Sequence, residues 1–404
     1  MKILQLMNRV PWPLKDGGAL GIYNYTKGYH NAGCEVTVAT LNTSKHFVKD
    51  IPTELSSIAT WQTCFIDNQV KPLGALKSLI NNTSYNVVRF YSQAFAQMLI
   101  QLLKKQTFDV IVFESVYMAL YVETVRLYSD AVLVLRQHNV EYKIWNTLSK
   151  NEANPVKKYY LQILTKRLKK FEQSKLNSFD AIVPITQSDL DDFRKMNCHI
   201  PAWVSPFGLD ITEYDAGEIE TEPIVFHLGS MEWMPNQEAI KWFLQEVWPI
   251  VHLRYPSLTC EIAGRGMPKE MTSMNVPNVT IHAEVKSASD FMRNKSIMIV
   301  PLFAGSGIRI KILEGFAMGK AIVTTTLGVQ GIACQHEKHL LIADGAAAFA
   351  DAICKLVGSP ELRNHISINA RKLATEVYDN NKVIQQLLNF YEQQITHKNK
   401  THVI

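Results

Sequence analysis

The chain has 404 residues, 47% of them apolar, which at about 150 residues per domain means two or three domains with enough apolar side chains for a core in each. Its 42 Lys and Arg against 37 Asp and Glu leave a net charge of +5, too mild to indicate a nucleic-acid partner. The six cysteines, at 34, 64, 198, 260, 334 and 354, form no C-x-x-C pair, which excludes a zinc ribbon and a small disulfide scaffold and points to a reducing compartment.

The opening M-K-I-L-Q-L-M is too short for a secretory core and is ended by Asn8 and Arg9. Later apolar runs such as 110–122 are interrupted by Glu114, and none approaches the roughly 20 residues of a spanning helix. The expectation is a cytoplasmic protein, with any membrane contact peripheral and at the inner face.

Short β-branched runs followed by 3.6-period segments recur along the chain, the pattern of parallel sheets covered by helices, so the fold class is α/β. Strands are expected at Lys2–Met7, Glu35–Thr40, Val110–Phe113, Val132–Arg136 and Ala181–Ile185, with an early helix over Leu20–Asn31. The polar stretch from Phe207 to Glu222 reads as a linker. Beyond it come strands at Pro223–Leu228, Leu258–Ala263, Val279–His282, Ile297–Pro301, Ala321–Thr325 and Leu340–Ala343, a helix over Gln237–Leu253, and a closing helix over Val377–Ile395 long enough to return toward the first half. The expected domains are 1–206, 223–376 and a terminal helical segment 377–404, with the linker at 207–222. Open parallel sheets bind ligands at the carboxyl ends of their strands, so two such sheets are expected to face a central cleft.

Candidate chemistry follows strand ends. Gly17 and Gly18, after the first strand, offer either a backbone approach to a ligand or a flexible turn. Glu114 directly follows Val110–Phe113, where burial is expected to raise its pKa toward neutrality. His138 and Asn139 follow the strand ending at Arg136 in the same way. Ser188 and the acidic residues Asp189, Asp191 and Asp192 read as a helix N-cap and first turn rather than a metal site, and no metal is assigned.

The strongest local signal is V-P-L-F-A-G-S-G-I-R-I-K-I-L-E-G-F-A-M-G-K. A strand ends at Pro301 and a glycine-flanked turn opens a helix near Ile308, so a diphosphate can bind at Gly305, Ser306 and Gly307 with Arg309 nearby. Lys311 and Glu314, three apart, share a face opposite Ile308, Ile312, Leu313 and Phe316. Neither G-x-x-x-x-G-K-[ST] nor G-x-G-x-x-G occurs, which argues against a Walker loop and a dinucleotide fold. Residues 157–175, with seven basic side chains among aromatic and aliphatic ones, read as a basic amphipathic helix that packs on its own domain or lies on an anionic membrane.

Together, Gly17-Gly18, A-G-C-E-V-T-V-A-T, R-Q-H-N-V-E-Y, F-G-L-D, H-L-G-S-M-E-W-M-P-N and the G-S-G-I-R-I-K-I-L-E-G-F-A-M-G-K segment resemble the glycosyltransferase group 1 family, retaining enzymes of GT-B architecture. The resemblance spans nearly the whole chain. It implies two Rossmann-like domains, a nucleotide-sugar donor (a UDP- or GDP-sugar) held mainly by the second, a saccharide or lipid-linked acceptor held mainly by the first, no metal and no cofactor, and a place in cell-surface polysaccharide or glycan biosynthesis.

By the same resemblance Glu314 matches the second glutamate of the family's paired motif, expected on the donor ribose, while Ser306 stands where the first is usual. Gly229 and Ser230 open the segment that replaces the family's usual Arg and Lys pair, which shifts phosphate neutralisation to Arg309 and Lys311. Val285 matches a backbone contact to the base, and Glu114 and His138 match reacting-centre positions. Two alternatives stand beside this reading: a nucleotide-sugar epimerase of the same fold using Glu114 and His138, and an inactive sugar-nucleotide-binding scaffold.

Overall fold

In a computed structural model of the chain, the described residues are 1–71, 74, 78, 80, 81, 83–215, 222–305 and 307–401. They form two compact units, Met1–Gly208 together with Asn380–Ile404, and Leu209–Asp379.

The first unit is built on β1 (Lys2–Met7), β2 (Glu35–Thr43), β3 (Thr60–Ile66), β4 (Val110–Glu114), β5 (Val132–Gln137) and β6 (Ala181–Pro184). They lie in the order β3-β2-β1-β4-β5-β6 and every pairing is parallel. Alternation along each strand divides the side chains between two cores. Leu4, Leu6, Ile111, Phe113, Leu133 and Leu135 pack on one face with the helix Gln93–Lys105. Ile3, Met7, Val110, Val112, Val132 and Val134 pack on the other with Tyr25 and Tyr29 of the helix Gly17–Asn31.

The closing helix, Asn380–Thr401, joins that second face through Val383, Ile384, Leu387 and Tyr391, whose hydroxyl lies 3.1 Å from that of Tyr29. It begins three residues later than expected, because the preceding helix Pro360–Val377 runs to Val377 and the chain turns at Tyr378 and Asp379. Asn24 holds both ends of the first unit's chain: its amide donates to the Gly208 carbonyl at 2.7 Å, and its carbonyl accepts from the Asn380 amide at 2.7 Å.

The second unit repeats the plan with β7 (Ile224–Leu228), β8 (Thr259–Ala263), β9 (Val279–His282), β10 (Ile297–Val300), β11 (Ala321–Thr324) and β12 (Leu341–Ile342), ordered β12-β11-β10-β7-β8-β9. Counted from its own first strand, this is the same doubly wound order as in the first unit. The expected helix over Gln237–Leu253 is a run from Met234 to Arg254 with a π-helical stretch at Phe243–Val247. Pro249 stands just beyond that stretch; it lacks an N-H and crowds the carbonyl a turn earlier, which explains the local departure from α geometry. Leu209 hydrogen-bonds back to Tyr378 at 2.7 Å and Ile211–Glu213 form a 3-10 turn, so the early part of the expected linker is ordered within this unit.

Three expectations need correction. Thr60–Ile66 forms an edge strand that was not foreseen. The helix Gln187–Lys195 is capped by Thr186, whose hydroxyl accepts from Asp189 N, rather than by Ser188. The helix after the glycine bend begins at Ile310, not near Ile308, with Arg309 at the cap. All six cysteines are unpaired. No helix among the described residues is long and apolar enough to cross a membrane.

Candidate functional site

Each doubly wound sheet has one place where the chain reverses its direction of winding: between β1 and β4 in the first unit, and between β7 and β10 in the second. Loops diverge there at the carboxyl ends of the strands and leave a crevice. The polar residues singled out in the sequence gather at these two points.

In the first unit, β4 and β5 are registered with Glu114 opposite Arg136. Both side chains are buried and 2.7 Å apart. Gln5 donates to Glu114 Oε1 at 3.0 Å and itself accepts from Thr26 at 2.9 Å. The Arg136 guanidinium lies 3.4 Å from the Tyr25 ring centroid, a cation-π contact. Burial pushes the Glu114 carboxyl up, but Arg136 and His138 more than offset this and hold it at about 2. The expected rise toward neutrality is therefore overturned: Glu114 is a fixed anion, because its neighbour in the sheet is a buried cation. Ser115, next in the chain, has φ of 118°, a backbone strain of the kind found where a turn must aim side chains.

His138 Nε2 lies 3.0 Å from Glu114 Oε2. Because the acceptor is a fixed carboxylate, Nε2 carries the proton and donates, which leaves the Nδ1 lone pair as the acceptor. The imidazole side chain is 19% exposed. Burial and the Arg136 charge lower its pKa, so it is neutral at pH 7. Gly17 and Gly18 form the first turn of Gly17–Asn31, with Asp16 as N-cap accepting from Ala19 N and from Arg9. An added Cβ at Gly18 would sit 3.3 Å from Arg9 Nη2, so the residue keeps that guanidinium close to the backbone.

In the second unit, Gly229 directly follows β7 and three polar groups converge on it: Lys311 Nζ, His227 Nε2 and Asn236 Nδ2 would all crowd a Cβ there. Lys311 Nζ donates to Asn236 Oδ1 at 3.0 Å, and Asn236 donates to the Ser230 carbonyl at 2.7 Å. His227 is buried, its Nδ1 held 2.8 Å from the Ile299 carbonyl oxygen, and its Nε2 has no hydrogen-bond partner among the described residues. Lys311 has no carboxylate ion-pair partner among the described residues. Burial, reinforced by the Arg309 charge and opposed by Glu314, pushes its ammonium down to about 7.

The bend itself has Gly305 at φ 115° and Gly307 at φ 81°, left-handed values that favour glycine. A Cβ at Gly305 would also strike the Trp233 ring, 2.6 Å from Cη2. Arg309 is buried, donates to the Gly307 carbonyl at 2.7 Å and stands over Trp233 at 5.7 Å, so it braces the bend from behind. Ser306 lies outside the described residues. Lys311 and Glu314 are half-buried, while Ile312, Leu313 and Phe316 are fully buried against the sheet. Ile308 precedes the helix and is only half-buried.

Glu314 Oε1 accepts from the Tyr214 hydroxyl at 3.2 Å, and burial raises the carboxyl's pKa against the opposing effect of that bond and of Lys311. Val285 is half-buried in the loop after β9. No group of three or more His, Cys, Asp or Glu side chains among the described residues gathers as a metal-ligand set.

Sequence reasoning missed Gln5, Arg136, His227, Asn236, Trp233 and Tyr214. Three of them carried a visible signal: Gln5, Arg136 and His227 are polar interruptions in otherwise apolar parallel strands, and a buried strand tolerates such a residue only when it is partnered.

Two doubly wound α/β units of this order define the GT-B architecture. Residues 222–359 match the family model described as Glycosyl transferases group 1. The chain is 24% identical over 400 residues to an uncharacterised 44.6 kDa protein of the cps region of Klebsiella pneumoniae, covering 96% of this chain and 98% of that one. Among solved structures, sucrose-phosphate synthase from Thermosynechococcus elongatus superposes with a TM-score of 0.69 at 12% identity, covering 98% of this chain and 100% of the other. Alr3699/HepE from Anabaena, in complex with UDP, superposes with a TM-score of 0.67 at 13% identity, covering 97% and 100%. These likenesses establish the fold.

Proposed function

We propose that the protein is a retaining glycosyltransferase that moves a sugar from a nucleoside-diphosphate sugar to a saccharide or lipid-linked saccharide. The observation that carries this reading is Lys311: a half-buried amine with no carboxylate ion-pair partner among the described residues, beside Arg309 and a glycine bend, with a carboxylate one turn further along the same helix. Its charged form in that setting is favoured by a bound anion, and a diphosphate attached to a ribose has the right charge and reach. That Alr3699/HepE was solved with UDP makes UDP-sugars the first donors to test, ahead of GDP-sugars.

In the proposed reaction the anomeric C-O bond to the diphosphate breaks as the acceptor hydroxyl oxygen bonds to the same carbon from the same face. The hydroxyl proton passes to the departing phosphate oxygen. Lys311, the backbone N-H groups of the bend and the helix dipole stabilise the charge that develops on the diphosphate. His138, neutral and held by Glu114, accepts a hydrogen bond from a substrate hydroxyl through Nδ1. The epimerase alternative requires Glu114 to carry a proton, which its fixed ionisation opposes.

The test is a thermal-shift screen against UDP, GDP and their sugars, followed by mass-spectrometric detection of transfer to an acceptor panel. A ligand that binds only the folded form raises the melting temperature. Stabilisation by a nucleoside diphosphate that is lost in Lys311→Ala and Glu314→Ala supports the assignment; wild-type stabilisation in both variants removes it.

A further inference from the structure

Tyr214 approaches Glu314 from outside the bend and its helix. It follows a 3-10 turn, Ile211–Glu213, in which Asp210 Oδ1 accepts from Thr212 Oγ1 at 2.6 Å and from Thr212 N at 3.3 Å, and Tyr214 N donates to the Ile211 carbonyl at 3.2 Å. The backbone that carries the phenol is thus anchored independently of Glu314.

The phenol is part-buried, and burial together with the Glu314 charge raises its pKa, so it keeps its proton and donates it to Glu314 Oε1. One carboxylate oxygen is therefore committed. Oε2 has no hydrogen-bond partner among the described residues, and Lys311, one turn back, is engaged by Asn236 instead. The phenolic oxygen, having donated its proton, retains lone pairs that can accept. Two adjacent acceptors on a fixed frame match the two neighbouring hydroxyls of a ribose.

We propose that Tyr214 and Glu314 act together as a reader of the donor ribose, with Tyr214 the specificity-determining partner. The Tyr214 oxygen accepts from the ribose 2′-hydroxyl, Glu314 Oε2 accepts from the 3′-hydroxyl, and the Tyr214–Glu314 bond fixes the spacing between them. This rests on the donor-site reading given above. A nucleotide lacking one hydroxyl leaves a partly buried acceptor without a partner, a loss that discriminates more strongly than a missing apolar group.

The experiment is calorimetric titration of the full-length protein with UDP, 2′-deoxy-UDP and inorganic pyrophosphate, and with GDP and 2′-deoxy-GDP, for wild type and Tyr214→Phe. Wild type is expected to bind the ribonucleotide at least about tenfold more tightly than its deoxy counterpart. In Tyr214→Phe, which retains the ring, that ratio is expected to fall close to one while pyrophosphate affinity stays at the wild-type value. An equal loss for UDP, 2′-deoxy-UDP and pyrophosphate means that Tyr214 only supports the fold and overturns the proposal, as does a ribose preference that survives in Tyr214→Phe. Wild-type binding of UDP or GDP without ribose discrimination overturns the pair alone. No wild-type binding of either nucleoside diphosphate overturns the donor site as well.

Discussion

Glu114 and Arg136 sit opposite each other at the ends of two adjacent parallel strands, joined by a 2.7 Å contact between side chains that are 0% and 1% exposed. A pair buried this deeply contributes little net stability, because desolvating both charges offsets their attraction, but removing one partner strands the other. Glu114→Gln is therefore expected to destabilise the protein by about 3–5 kcal/mol, measured by urea denaturation. Replacing both residues by apolar ones of similar volume is expected to recover most of that loss. If the single and double variants are equally unstable, the pair is not what the region depends on.

The same carboxylate makes a prediction about acid. Its folded pKa of about 2 lies below the ordinary 4.5, so the ionised form favours folding by about 3 kcal/mol relative to the protonated form, an advantage fully present above pH 5 or so and lost as the pH falls toward 2. Stability measured between about pH 6 and 3 is expected to decline in wild type and to be flatter in Glu114→Gln. Parallel curves for the two proteins would contradict the assignment.

His138 presents one nitrogen to Glu114 and leaves the other to accept. Replacing it by alanine is expected to lower turnover by about tenfold, the worth of one hydrogen bond to a substrate hydroxyl. The thermal shift given by UDP is expected to persist, because the proposed donor-binding residues lie in the other unit. Loss of UDP binding in His138→Ala would place the histidine in the donor site instead.

Lys311, lowered to about 7, is half-neutral at physiological pH when no anion is bound. Diphosphate binding favours the charged form, so it takes up a proton, and affinity is expected to fall as the pH rises from 7 to 9, approaching tenfold per pH unit. Calorimetry in two buffers of different ionisation enthalpy reads the uptake directly. Lys311→Arg, charged throughout this range, is expected to remove the dependence; an unchanged slope in that variant excludes Lys311 as its origin.

The helix Pro155–Leu176 buries Leu164, Leu168 and Leu176, and its first turns expose Val156 (79%) and Tyr159 (67%). Of its basic residues, Arg167 donates to the carbonyls of Ser78 and Thr83, and Lys169 lies over the Tyr142 ring at 5.0 Å. Lys158 donates to the Lys150 carbonyl at 3.1 Å and Lys157 pairs with Glu152, so changing Lys166 and Lys170, which make no side-chain hydrogen bond or ion pair among the described residues, to Glu tests a membrane role without breaking an internal contact. Wild type is expected to pellet with vesicles containing phosphatidylglycerol and not with neutral ones, the variant with neither. Equal pelleting of the two proteins ends the idea.

Strand positions were readable where the chain is buried on both faces, because such strands are continuous apolar runs. Thr60–Ile66 escaped because it is an edge strand, paired only with β2, and its side chains are half-buried or exposed. Within the candidate donor site, Lys311 and Glu314 could be read from their spacing in one helix. Their partners could not: Asn236 is 75 residues from Lys311 and Tyr214 is 100 from Glu314, distances over which only the folded chain assigns neighbours. The wrong expectation for Glu114 had the same origin, since burial was inferred correctly but the cation opposite it follows from strand register.

The chain enters the second unit at Leu209 and leaves it at Asp379, two residues bridged to each other within that unit. In topological terms the whole second unit is an insertion with neighbouring ends, spliced into a host that resumes at Asn380. Such a unit can be exchanged for another with the same spacing of its ends, leaving the first unit, with its buried ion pair and its histidine, unchanged.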